Sequence, residues 1–265
     1  MRLFDTHCHI ADEQFNADLE DVIARYREAG VQKALVVADP CEDIPNEEKV
    51  FSLIHGRDHL YGAIGIHPHN AKRRTDETIA TVKRYLEDPK CRLLGEIGLD
   101  YHYDLSPRET QRAVFDEQLE LAYTLKKPVQ LHIREAHGET LDMLRARAAA
   151  GRMPEGILHC CTASWESVKV YLKLGLYISL SGAVTFKNAP KLAEVARNVP
   201  SDRLLIETDC PYMAPVPMRG RRNEPSFLPY TLAKAAALRE VSPETLAEQL
   251  WINAHRALHI ENELQ

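Results

Sequence analysis

Residues 3–10 read LFDTHCHI, a short apolar run that ends on two histidines one residue apart. In a β-strand, side chains at i and i+2 share a face. His7 and His9 are therefore expected side by side, where two imidazoles repel when protonated and pair poorly when neutral. A divalent cation between them removes that conflict. The fold turns on whether other apolar runs end the same way.

Seven more short β-like runs follow: KALVVA (33–38), LYGAIGIHP (60–68), CRLLGEIGLD (91–100), PVQLHIR (128–134), GILHCC (156–161), LYISLSG (176–182) and RLLIETD (203–209). Between them lie stretches with helical periodicity, including 18–30, 78–88, 109–127 and 189–199. Strands alternating with helices imply a parallel sheet. Eight such units in 265 residues match the size of a (β/α)8 TIM barrel, and the whole of 1–265 is expected to be one domain. The rival, an open doubly wound sheet, loses its commonest version because no G-x-G-x-x-G follows the first strand.

Ionisable residues recur where these runs end: His7 and His9 on the first, Glu96 on the fourth, His132 on the fifth, His159 on the sixth, Asp209 on the eighth. Only a closed barrel makes strands one and eight neighbours and aims all five ends at one spot. Each residue alone has a plain structural reading, as a hydrogen-bonded core histidine or a helix cap. Together they point to metal. Four nitrogens and two carboxylates suit Zn²⁺, Mn²⁺ or Fe²⁺ and exceed a closed four-ligand zinc site. Two divalent ions are expected, Mg²⁺, Mn²⁺ or Zn²⁺. His7, His9 and Asp209 would take one, His132 and His159 the other, with Glu96 bridging. The reaction class is metal-assisted hydrolysis, with Asp209 accepting the proton of the attacking water.

Further candidates flank this set. His67, in GIHPHN after the third strand, is a substrate contact or a loop residue; His69 reads as solvent-facing. Arg134, two residues past His132, is an anion contact or a rim ion pair. The loop CPYMAPVPMRGRRNEPSFLP (210–229) carries Arg219, Arg221 and Arg222, a phosphate clamp or a solvated charge run. Cys8 reads as packing, and Cys161 as a lesser rival ligand.

Composition excludes several classes. A net charge of −6 disfavours broad binding to duplex DNA. Six cysteines without a C-x-x-C pair read as reduced thiols of a cytoplasmic protein. No secretory leader, membrane-length apolar window or obligate protein partner is evident.

The motifs DTHCHI, GIHPH, GEIGLDYHYD, QLHIREA, LHCCTAS, LLIETDCPY and RRNEP resemble, in order and spacing, the TatD family of metal-dependent deoxyribonucleases. The resemblance runs from Phe4 to about His255. It implies a distorted, amidohydrolase-like α/β barrel and a divalent-metal site at His7, His9, Glu96, His132, His159 and Asp209, with Glu96 and Asp209 catalytic. It implies 3′–5′ exonuclease chemistry on single-stranded DNA or RNA ends, for which His67, Arg134 and Arg222 are the candidate substrate contacts read from the residues above. Other members resemble deacylases of mischarged tRNA, so an ester or amide hydrolase is the alternative, and a non-catalytic metal-binding module a third. The sequence departs from the family at Ala11, Cys161, Ala163 and Cys210, none of them in the ligand set.

Overall fold

The computed structural model describes residues 1–42 and 44–264. Its strands are β1 (Leu3–Cys8), β2 (Val31–Ala38), β3 (Leu60–Ile64), β4 (Cys91–Asp100), β5 (Val129–Arg134), β6 (Gly156–Leu158), β7 (Tyr177–Leu180) and β8 (Leu204–Ile206), and they follow one another in the sheet in chain order. The helices are α1 (Leu19–Glu28), α2 (Glu47–His55), α3 (Asp76–Leu86), α4 (Arg108–Leu125), α5 (His137–Ala149), α6 (Trp165–Lys173), α7 (Pro190–Asn198), α8 (Leu228–Arg239) and α9 (Pro243–Ala257).

Local chemistry sets these boundaries. Thr75 and Thr78 cap α3 reciprocally, each side chain accepting from the other's backbone N–H. Ser242 accepts from Thr245 N–H ahead of Pro243, the first residue of α9. The α1 stripe Val22, Ile23 and Tyr26 is buried, and each such side chain removed from water stabilises by about 1.5–3 kcal/mol. No described helix is long and apolar enough to cross a membrane. All six cysteines are free, five of them buried.

The chain divides into two compact units. The first comprises Met1–Val36, His159–Val168 and Tyr177–Gln265. Here β1 pairs parallel with β2, from Leu3↔Val31 to Cys8↔Val36, and β7 with β8, from Ile178↔Leu204 to Leu180↔Ile206. The end of β8 lies against β1: Thr6 Oγ1 donates to Ile206 O at 3.0 Å and Asp209 N–H to His7 O at 3.0 Å. Helix α9 backs β1, with the Trp251 and His255 rings packed on Phe4. Asn253 ties α9 to β8 by donating to Ser201 O and Leu204 O.

The second unit comprises Val37–Leu158 and Lys169–Leu176. Strands β3, β4, β5 and β6 pair parallel in succession. Two fully buried glutamines of α4 anchor the strand ends. Gln118 bonds both N–H and C=O of Ile66, and Gln111 both those of Asp100. Gly98 stands opposite His132 with φ +152, and a Cβ there would sit 1.9 Å from His132 O. Only glycine permits that approach.

Candidate metal centre

In the first unit, His7 is fully buried near the end of β1. The strand stops at Cys8, two residues short of the expected run and before His9. His9 lies in the turn beyond, its N–H donating to Cys210 O at 2.8 Å. The two rings still converge, Nε2 to Nε2 at 3.0 Å. They converge because the chain turns, whereas the sequence reading relied on strand alternation. Asp209 follows β8 in the left-handed conformation, φ 57. That twist sets its Oδ1 3.6 Å from both His7 Nε2 and His9 Nε2.

These three atoms form a triangle with edges of 3.0, 3.6 and 3.6 Å. A point about 2 Å from each lies at its centre, and metal–imidazole and metal–carboxylate bonds are about 2.0–2.2 Å. The donors therefore fit a divalent cation in spacing and in type. His159 stands just past β6, its ring stacked on His7 at 4.0 Å, and has a ligand atom within 4.8 Å of those of His7 and Asp209. Burial pushes the Asp209 carboxyl up, but the His9 hydrogen bond and the neighbouring imidazoles outweigh it and hold the group below its ordinary value.

Two buried carboxylates brace this set. Glu207 Oε1 accepts from His159 Nδ1 at 3.1 Å and from Cys160 N–H at 2.5 Å. This leaves His159 Nε2 to serve as donor atom toward a metal. Asp5 accepts from Thr208 N–H and Oγ1 and from His7 N–H, which locks β1 to the IETD turn. Burial raises its acid to about 7 against the Thr208 bonds. Cys8 packs with its thiol on Leu35 O. Cys161 is buried, with its N–H on Ser179 O.

In the second unit, Glu96 Oε1 on β4 lies 2.6 Å from His132 Nδ1 of β5 and 3.5 Å from His67 Nε2. Ligand atoms of His67, His69 and His132 lie within 4.8 Å of one another. His67 Nδ1 accepts from His69 N–H at 3.1 Å, leaving Nε2 to face Glu96. Burial is the main cause that lowers the His67 imidazole to about 4. Fully buried Asp100 is the brace here: Oδ2 accepts from His69 Nε2 at 2.8 Å and His132 Nε2 at 3.1 Å, and Oδ1 from His102 and Tyr103 N–H. Despite burial, these bonds hold its carboxyl far below the usual range. His69 is thus tied to a carboxylate and is not a plain solvent-facing side chain.

The predicted arginines separate. The Arg134 guanidinium lies 4.7 Å over the Tyr103 ring and has no carboxylate partner among the described residues. Arg222 is engaged, making a two-pronged pair with Asp18 and a bond to Gln14 O while covering the Phe15 ring. Its neighbours in RRNEP are also structural. Asn223 donates to Thr208 O and Tyr212 O, and Glu224 takes a two-pronged pair from Arg25.

The sequence reading missed Asp5, Asp100, Glu207 and Asn223. Each of the three carboxylates was visible as an ionisable residue inside a strand run that already held a nominated ligand. Such a charge must be paired when buried.

A family model described as "TatD related DNase" matches residues 4–259. The chain is 41% identical over 258 residues to a Bacillus subtilis protein named "Uncharacterized metal-dependent hydrolase YabD", covering 97% of this chain and 99% of that one. It is 35% identical over 263 residues to the "3'-5' ssDNA/RNA exonuclease TatD" of Erwinia billingiae, covering 97% and 99%. Among solved structures, the TatD homologue YJJV of Escherichia coli superposes with TM-score 0.89 at 30% identity, over 97% of this chain and 98% of that one. The fold is the (β/α)8 barrel expected from the eight strand–helix units.

Proposed function

The chain belongs to the TatD-related DNase family and is a metal-dependent hydrolase, and from that premise we propose that it removes nucleotides from the 3′ end of single-stranded DNA or RNA. The observation that carries the proposal is the His7–His9–Asp209 triangle, sized for a divalent cation. The relative from Erwinia billingiae, named for this activity, supports the choice of substrate.

In this reading His7, His9 and Asp209 hold one ion. Glu96 and His132 of the second unit would serve a second, and His159 stands with the first set. Divalent ions bound there supply Lewis acidity and bring the pKa of water toward about 7. Asp209 takes the proton released by the attacking water. Glu207 and Asp100 keep His159 and His132 oriented, so no reorganisation is needed as charge develops. Arg134, with no acidic partner among the described residues, pairs with a phosphate oxygen. His67 offers Nε2–H on the same side as Glu96. Arg222 can contact phosphate only by sharing its guanidinium with Asp18.

The test is a 5′-labelled single-stranded oligonucleotide incubated with Mg²⁺, Mn²⁺ or Zn²⁺ in turn, with Glu96→Ala alongside. Stepwise shortening from the 3′ end that vanishes in the variant is expected. Parent and variant equally inert with every metal, while the parent hydrolyses an aminoacyl ester, would overturn the proposal in favour of carboxylic-ester chemistry.

A further inference from the structure

The chain carries a net charge of −6, yet residues 181–191 and 210–222 contain no Asp or Glu. They hold Lys187, Lys191, Arg219, Arg221 and Arg222. Both segments belong to the first unit, and they run alongside each other. A Cβ on Gly182 would sit 2.1 Å from Met213 O, Val216 N–H donates to Thr185 Oγ1 at 2.8 Å, and the Arg219 guanidinium lies 4.0 Å over the Phe186 ring. The contacts fall at 182 with 213, 185 with 216, and 186 with 219. The loop after β8 is therefore docked along the turn after β7.

One end of this track is at the metal-ligand set. Tyr212 is 55% exposed, and its ring stands edge-on to His9 at 6.2 Å. Asn223 fixes it by donating to Tyr212 O at 2.6 Å. The other end carries the Phe186–Arg219 stack with exposed Lys187 and Arg221 beside it in sequence. The side chains of Lys187 and Arg221 have no acidic partner among the described residues, and Arg219 has only the ring. From Gly182 to Phe186 the 3₁₀ turn advances about 8 Å, roughly two steps at the 3.4 Å stacking distance of bases.

We propose that Tyr212 and the Phe186–Arg219 pair form a stacking platform for an unpaired polynucleotide strand, binding bases next to the end that is cleaved. This rests on the proposed function and extends it: the preferred substrate is an oligomer a few nucleotides long. Flat rings with cations at one end suit an unpaired strand, because every base offers a π-face and every linkage an anion. Duplex hides those faces. The contacts read stacking and phosphate, so DNA and RNA should bind alike.

The test is fluorescence anisotropy of the full, metal-loaded chain with fluorescein-labelled dT8 and U8 carrying phosphorothioate linkages. Arg219→Ala and Phe186→Ala are each expected to weaken binding of both by 5- to 50-fold, with Phe186→Trp within twofold of parent. An octameric polyglutamate should compete poorly. Arg219→Ala within twofold of parent, or polyglutamate competing as well as dT8, overturns the platform. Failure of the two proposals is separable. If the parent shortens oligonucleotides and Arg219→Ala leaves affinity intact, the platform fails and the nuclease reading stands. If binding is sensitive to these substitutions but no phosphodiester is cleaved, the platform stands and the nuclease reading fails.

Discussion

Asp100→Asn isolates the brace of the second ligand set. Asp100 receives two backbone N–H groups on Oδ1 at 2.9 and 2.8 Å and two imidazole nitrogens on Oδ2 at 2.8 and 3.1 Å. The amide side chain is nearly isosteric but has one acceptor oxygen. The backbone pair can only donate, so that oxygen must stay with it, and the NH₂ turns toward His69 and His132. Both imidazoles must then stop donating from Nε2 and carry their proton on Nδ1, the nitrogen that His132 directs at Glu96. A proton there blocks metal ligation. Each lost bond to a charged acceptor was worth about 1.5–3 kcal/mol, and loss of such a brace typically lowers metal affinity about 10- to 100-fold. Competition between the metal-free protein and a chromophoric chelator for Zn²⁺ or Mn²⁺ should show one ion weakened by that factor. The His7–His9–Asp209 ion should keep its affinity. Asp100→Asn binding both ions within twofold of parent would refute the brace.

Four other outcomes follow from the geometry. Gly98→Ala places a Cβ against His132 O in a conformation closed to other residues; a loss above about 4 kcal/mol is expected, seen as insoluble or unfolded protein, and a parent-like urea midpoint would contradict the strand register. Asn223→Ala strips donors from Thr208 O and Tyr212 O, costing about 2–4 kcal/mol, and differential scanning calorimetry should show a lowered Tm. Arg134→Ala should raise KM for oligonucleotides about tenfold with a smaller change in kcat; an unaltered KM removes Arg134 from the phosphate site. His137 is lowered to about 4 by burial, so it is neutral when folded and protonated when unfolded below pH 6.5; stability is complete above 6.5 and falls as pH drops toward 4. Between pH 7.5 and 5 that amounts to about 2 kcal/mol, and His137→Gln should flatten the urea midpoint over that range relative to parent.

The strand–helix alternation and the six ligand candidates were legible because apolar runs and buried ionisable residues follow from hydrophobic periodicity. The fourth strand, residues 91–100, was read to the residue as β4. The ends of β1, β6 and β8 were not: these strands stop before His9, His159 and Asp209. The reason is backbone geometry. Cys160 and Asp209 adopt positive φ without being glycine; nothing announces that for Cys, and the modest left-handed preference of Asp does not single out position 209. Asp5, Asp100 and Glu207 escaped because their partners are distant in sequence and one of two carboxylates in a run gives no sign of which is the ligand. RRNEP looked like a charge cluster aimed at substrate. Only the fold reveals that Asp18, just ahead of α1, and Arg25 within it absorb Arg222 and Glu224.

The first unit draws its ligands from both ends of the chain, His7 and His9 from one and Asp209 from the other. On a ribosome adding about 5–20 residues per second, the two histidines wait roughly 10–40 s for their third partner. The second unit's Glu96, His67 and His132 all lie within one continuous stretch, Val37–Leu158, and can assemble first. On the proposed ligand set, capture of an ion by the His7–His9–Asp209 triangle is therefore a test of completeness: a product truncated between residues 10 and 208 carries the histidines but never the closed triangle.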